Sequence, residues 1–229
     1  MRRRWQSTTW TVIILDILLL GILVVIDPQF FEYGNLITFV IDSTPLLFVA
    51  LGQTLVVLTG GIDLSLGSLL GLVNVVVATA LVPYGLLGLA ISIGVGIFGG
   101  LAAGLFIVYG RLQPIIVTLA LSSVWSGLSL LILPQPGGNV PQWLVLGTTG
   151  FISGFPLILL ILVLVLALFA YVLHPRSLGG HIIAIGANST GSIYSGISAT
   201  RVIIWTYLLA GLLTAIGAIV LTGNTGSGD

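Results

Sequence analysis

Long apolar runs separated by short polar breaks fill the chain. Most are too long for the buried helices of a soluble domain, and they read as membrane spans. The first run, 10–26, carries one charge, Asp16, and follows Met1-Arg2-Arg3-Arg4. No small-x-small cleavage site follows it, so it is expected to be an uncleaved first helix. Residues 43–82 are too long for one crossing, since as a helix they would measure about 60 Å against a hydrocarbon core of about 30 Å. The break is expected at Gly60-Gly61-Ile62-Asp63-Leu64-Ser65, where glycine and polar residues cluster. Ser43 or Thr44 before Pro45 predicts a helix start, and Asp63 predicts a cap for the helix after the break. Val82-Pro83-Tyr84-Gly85 reads as a tight turn. A long span over 86–109, a polar connection Gly110-Arg111-Leu112-Gln113 and a span over 114–133 follow. Residues 134–154 read as a Pro/Gly-rich loop whose Trp143 and Phe151 suit a membrane interface. Residues 155–173 are almost wholly apolar, 174–200 form the longest polar stretch, and 202–222 form the last span. The pattern predicts an all-α, polytopic transmembrane helical bundle of about seven spans, one domain over residues 1–229.

Composition sharpens this picture. Apolar residues make up 57% of the chain and charged residues 5%, with a mean hydropathy of +1.25. A soluble domain carries roughly a quarter charged residues, so lipid is the solvent that fits. The net charge of zero hides an uneven distribution. With the N-terminus inside and the spans alternating, Arg2, Arg3, Arg4, Arg111, Arg176 and Arg201 all face the cytoplasm. That is what the positive-inside rule wants, and Asp27, Glu32, Asp42 and Asp229 then fall outside.

Several activities are excluded by what the chain lacks. There is no basic face for nucleic acid. There is no cysteine for disulfides or thiolate chemistry. His174 and His181 lack the spacing of a metal pair. No lysine is present, so no phosphate loop with a following lysine exists and the chain is expected not to hydrolyse ATP. Gly226-Ser227-Gly228-Asp229 fits the short pattern of aspartyl intramembrane proteases, but such a site needs a second aspartate at the same depth. No serine-hydrolase constellation is present. The chain is expected to be no enzyme, with no cofactor and no metal.

Glycine is abundant at 31 residues. Ser92, Gly96, Gly100 and Gly104 repeat at four-residue intervals, and Gly67 and Gly71 repeat the spacing one span earlier; both are expected to be close-packing faces within the chain. Asp63 lies between two membrane segments, where an acid is costly unless it caps a helix, pairs, or lines water. It reads either as a gate or ion site at a broken helix, or as a cap near the cytoplasmic face. The neutral polar residues Gln53, Thr54, Asn74, Thr118, Ser122, Ser123, Ser126, Thr206 and Thr214 suit an uncharged, hydroxyl-bearing solute, although each is also a common packing residue. Gln53, Asn74, Thr118 and Ser122 are the translocation-path candidates.

The nonapeptide Gly60-Gly61-Ile62-Asp63-Leu64-Ser65-Leu66-Gly67-Ser68 resembles the permeases of ribose-type, carbohydrate-uptake ABC importers. Leu51-Gly52-Gln53-Thr54-Leu55-Val56 resembles the family's approach to that motif. Gly110 to Leu119 resembles the opening of its fifth helix. Leu178-Gly179, Ala184-Ile185-Gly186-Ala187-Asn188 and Ser195-Gly196-Ile197 resemble its long cytoplasmic loop, so the likeness covers essentially the whole chain. It implies a permease subunit of the bacterial inner membrane that pairs with a second permease copy or paralogue and with two ATP-binding subunits. A periplasmic sugar-binding protein would deliver a monosaccharide such as ribose, which passes by alternating access.

Gly60, Gly61, Asp63, Ser65 and Gly67 are then the signature and gate candidates. Residues 174–200 become the ATPase-coupling surface, with room for a short docking helix and with Gly179, Gly186, Asn188, Ser195 and Gly196 as its candidates. The chain departs from the family at Gly180 and Ile193, where basic residues are frequent. Thr225-Gly226-Ser227-Gly228-Asp229 resembles the start of an external segment that leads into further helices, so the chain is expected to be incomplete at its C-terminus. Two other readings remain: an ion-coupled secondary transporter using Asp63 at a broken helix, and a truncated membrane protein without transport of its own.

Overall fold

The computed structural model describes residues 2–174 and 178–229, with side chains from residue 10 onward. Arg176 and the side chains of Arg2, Arg3 and Arg4, which enter the orientation argument, lie outside the described residues. The fold is helical: α1 (Arg2–Ile26), α2 (Tyr33–Leu58), α3 (Leu66–Tyr84), α4 (Leu86–Gly110), α5 (Pro114–Ile132), α6 (Gln142–Thr149), α7 (Leu157–Val172), α8 (Leu178–Ala187), α9 (Ser189–Tyr194) and α10 (Ala199–Thr225). Among the described residues, a 3-10 turn, Pro28–Phe31, and a hairpin of two-residue strands β1 (Phe151–Ile152) and β2 (Phe155–Pro156) complete it. Contacts divide the chain into two compact units, Met1–Val40 and Ile41–Asp229.

In the first unit, Asp27 caps the turn after α1, its Oδ1 accepting from the Gln29 N–H at 3.2 Å. Phe30 meets Phe31 and Phe39 edge-on at 5.2 and 5.3 Å.

The second unit is built around α10, which packs against α3 and α4, while α5 lies against α3. Five helices, α2, α3, α4, α5 and α10, are long and apolar enough to cross a membrane. The apolar stretch of α1 and the 16 residues of α7 are shorter; α7 spans about 24 Å, against about 30 Å of hydrocarbon. These seven apolar helices follow the order that the hydropathy pattern predicts.

The glycine face of α4 behaves as expected. Gly96 and Gly100 lie against Gly211 and Ala215 of α10, and Gly104 lies against Ile204 and Tyr207. A β-carbon on Gly100 would run into the Tyr207 carbonyl, and one on Gly211 into the Gly96 carbonyl, so the two backbones touch as small residues permit in lipid. The matching expectation for α3 fails. A β-carbon on Gly67 would meet nothing within 4 Å, and one on Gly71 only the Asp229 carbonyl at 4.0 Å. Helix α3 packs instead through the bulky face of Leu69, Val73, Val77 and Leu81, with the Leu69 side chain filling the space over Gly99.

Three further expectations are corrected. Helix α2 does not start at Ser43 or Thr44 but at Tyr33, and Pro45 lies inside it. Proline lacks the N–H that would serve the carbonyl four residues back; here the Asn224 side chain of α10 donates Nδ2 to the Ile41 carbonyl at 2.9 Å. Asp42 is accordingly within α2 and exposed on its surface. Residues 82–85 are not a multi-residue turn, since α3 continues through Pro83 to Tyr84 and the chain reverses at Gly85, with φ +54°. Residues 134–154 are more ordered than a loop. They contain α6 and the first strand of the hairpin, and Gly137 exchanges backbone hydrogen bonds with Gly228 at 2.9 and 2.7 Å.

Candidate functional site: the break between α2 and α3

The last turn of α2 tightens as the N–H groups of Thr59 and Gly60 donate to the Val56 and Val57 carbonyls, at 3.0 and 2.9 Å. Gly60 then takes φ +84°, the left-handed conformation that glycine adopts without a side-chain clash at a helix end. Asp63 next makes a local turn. Its Oδ1 accepts from the Ser65 N–H at 2.7 Å and from the Ser65 hydroxyl at 2.6 Å, the geometry by which aspartate starts turns. The N-cap of α3 is therefore Ser65, not Asp63 as the sequence predicts. Ser65 makes no side-chain cap bond of its own; its backbone is helical, at φ −92° and ψ −13°, and its hydroxyl points to Asp63. Asp63 is buried, and burial lifts its carboxyl above the usual carboxylate range, with the two Ser65 bonds opposing the shift. Its second oxygen, Oδ2, has no hydrogen-bond partner among the described residues.

Three other elements converge on this break. From α5, the buried Thr118 accepts the Leu64 N–H on its hydroxyl oxygen at 3.1 Å and donates to the Pro114 carbonyl at 2.9 Å. From α10, the Tyr207 hydroxyl lies over Gly61, where a β-carbon would come within 2.9 Å of it. From α8, Gly186 abuts the end of α2, and a β-carbon there would run into the Leu58 carbonyl.

Gly60, Gly61, Asp63 and Ser65 thus share one site with Thr118 and Gly186, while Gly67 faces outward one turn into α3. Tyr207 is the residue that sequence reasoning missed. The signal was present, because a phenol in mid-span must find a polar neighbour or stand unpaired in a dry interior. Tyr207 is 1% exposed and its hydroxyl is unpaired among the described residues.

The polar stretch after α7 forms two short helices where one was expected. Gly179 packs against the Leu173 backbone. Asn188 caps α9, accepting the Gly191 N–H at 2.9 Å. Ser195 donates its hydroxyl to the Gly191 carbonyl at 3.0 Å, and Gly196, at φ +84°, ends the element. The other path candidates are dispersed. Asn74 is buried and ties the C-terminal turn down: its amide donates to the Thr222 hydroxyl at 2.8 Å and accepts the Asp229 N–H at 2.6 Å. Ser122 donates to its own helix, to the Leu119 carbonyl at 2.9 Å. Gln53 is half-buried, with its carbonyl oxygen unpaired among the described residues.

Residues 35–229 match the family described as the permease component of the branched-chain amino acid transport system. The chain belongs to this permease family. The permease is 34% identical to the ribose import permease protein of Bacillus subtilis (strain 168), over 90% of this chain and 66% of that one. It is 30% identical to the ribose import permease protein of Escherichia coli (strain K12), over 95% and 71%. It is 28% identical to the autoinducer 2 import system permease protein of Enterobacter sp. (strain 638), over 99% and 71%. The permease thus spans about two thirds of the length of these curated relatives. No solved structure matches it. The likeness to ribose-type importer permeases that the nonapeptide carries is borne out by these relatives.

Proposed function

We propose that this permease is the membrane-spanning subunit of an ABC-type importer that moves a monosaccharide such as ribose across the bacterial inner membrane. In this reading residues 1–229 belong to one permease domain with its N-terminus in the cytoplasm. A pair of ATP-binding subunits docks on α8 and α9, a second permease copy or paralogue completes the pathway, and an extracytoplasmic binding protein delivers the sugar. The names of the ribose and autoinducer 2 relatives support a small, hydroxylated solute. Neutral amides and hydroxyls in the spans suit such a solute better than an ion.

The observation that carries the reading is the seat of Gly186 on the Leu58 carbonyl. Closure of the ATP-binding subunits would displace α8, and α8 would push on the last turn of α2. The break at Gly60–Ser65 then yields, because its backbone is held by Asp63 and Thr118 and not by a continuous helical ladder. The break serves as the inner gate, and alternating access follows from its two positions.

The test is sugar uptake in membrane vesicles holding the permease with its ATP-binding subunits and binding protein. Uptake is expected to require ATP and the binding protein and to survive collapse of ion gradients. Uptake that follows a sodium or proton gradient and is lost in Asp63→Asn would overturn the proposal in favour of an ion-coupled carrier.

A further inference from the structure

Two polar atoms at the break are left unpaired by every contact described so far. Asp63 is 6% exposed with Oδ2 unpaired, and Tyr207 is 1% exposed with its hydroxyl unpaired, both among the described residues. They belong to different elements, the α2–α3 connection and α10, which meet where the Tyr207 hydroxyl lies over Gly61, two residues before Asp63. Gly61 leaves open the space beside the hydroxyl, since a β-carbon there would crowd it at 2.9 Å. Unpaired polar atoms in a dry interior are costly. Two such atoms buried at one break without a bond to each other are ordinarily served by an ordered water.

We propose that Tyr207 is a positioning residue, donating through one bridging water to Asp63 Oδ2, so that the pair latches the broken helix to α10. Asp63 then works in two directions at once. Oδ1 orders the turn that begins α3, and Oδ2 fastens that turn to the helix behind it. Glycine at position 61 is required because any side chain would displace the bridge. The latch resists the displacement that α8 applies at Leu58, so releasing it is part of opening the gate; this last step rests on the permease reading above, whereas the latch itself does not.

The chain has no cysteine, so a nitroxide on Leu64→Cys, an exposed position of the break, reports its mobility without competing labels. In the full chain in lipid, Tyr207→Phe and Asp63→Asn are each expected to raise the mobile fraction of the label about fivefold, the population shift that follows loss of one net hydrogen bond. The double variant is expected to show no more than the larger single effect, and the thermal midpoint of Tyr207→Phe is expected to stay close to the parent's because the ring still packs. Single effects that multiply in the double variant overturn the latch, as does an unchanged spectrum in Tyr207→Phe. That second result decides the matter alone if Asp63→Asn does not fold. The measurement needs no ATPase and no sugar. Coupled mobility without ATP-driven uptake would leave the latch standing and remove the importer reading, and ATP-driven uptake with uncoupled mobility would do the reverse.

Discussion

Pro45 inside α2 leaves the Ile41 carbonyl without its helical N–H, and Asn224 of α10 supplies the missing donor at 2.9 Å. Replacing Asn224 with leucine keeps the size and removes the donor. Orphaning a buried carbonyl costs about 1–3 kcal/mol in soluble proteins, whereas hydrogen bonds between membrane helices average about 0.6 kcal/mol with a maximum near 1.7. Asn224 Oδ1 is itself unpaired among the described residues, so the substitution also removes one unfavourable group. The expected net cost is about 1 kcal/mol. The decisive step is to repeat the substitution on a Pro45→Ala background, where the alanine N–H can serve Ile41 from within α2. There the cost of Asn224→Leu is expected to fall to near zero, a coupling of about 1 kcal/mol. Unfolding in mixed micelles, followed by tryptophan fluorescence, measures all four corners of the cycle, and packing lost with the proline ring cancels because it is common to both Pro45→Ala corners. An equal cost of Asn224→Leu in the two backgrounds would refute the claim that Asn224 stands in for the proline's missing donor.

Other outcomes follow from contacts of the same kind. Gly100→Ala is expected to destabilise by about 2 kcal/mol, because its β-carbon must part α4 from the α10 backbone. Gly94→Ala, which meets nothing within 4 Å, is expected to be neutral or to stabilise by up to about 1 kcal/mol through helix propensity; the same unfolding assay separates the two. Asn74→Leu cuts the ties to Thr222 and Asp229, with an expected loss of about 2 kcal/mol and faster hydrogen exchange confined to the C-terminal turn. Gly186→Val forces α8 off the Leu58 carbonyl, so sugar uptake is expected to fall sharply and the unfolding midpoint to drop as in Gly100→Ala, and an unchanged uptake would contradict the contact's role.

The order of the long apolar helices was legible because hydropathy reports burial in lipid directly, whereas the start of α2 and the presence of α6 were not. The helix partners were not. Gly96, Gly100 and Gly104 share their spacing with Gly67 and Gly71, yet only the first set packs closely against another helix. Spacing describes one face of one helix and carries no information about what lies opposite. Pro45 reads locally as a helix start, and what lets it sit inside α2 is the Asn224 side chain, 183 residues from the Ile41 carbonyl it serves. At the candidate site, Asp63 stood out as a lone acid between spans, and its glycines marked the break. Tyr207 did not stand out, because a tyrosine in an apolar run resembles the many aromatic residues that merely face lipid. The two short helices after α7 were half legible: the length of the polar stretch suggested one helix, but the cap at Asn188 divides the segment in two.

The central claim is that α8 transmits the motion of the ATP-binding subunits to the break through the Gly186–Leu58 contact. Its most direct test is the spectrum of a nitroxide at Leu64→Cys in the vesicle-embedded complex, with and without ATP, in the parent and in Gly186→Val. ATP is expected to change the label's mobility in the parent and to leave it unchanged in Gly186→Val. An equal ATP response in both, or no response in a parent complex that still imports sugar, would contradict the account.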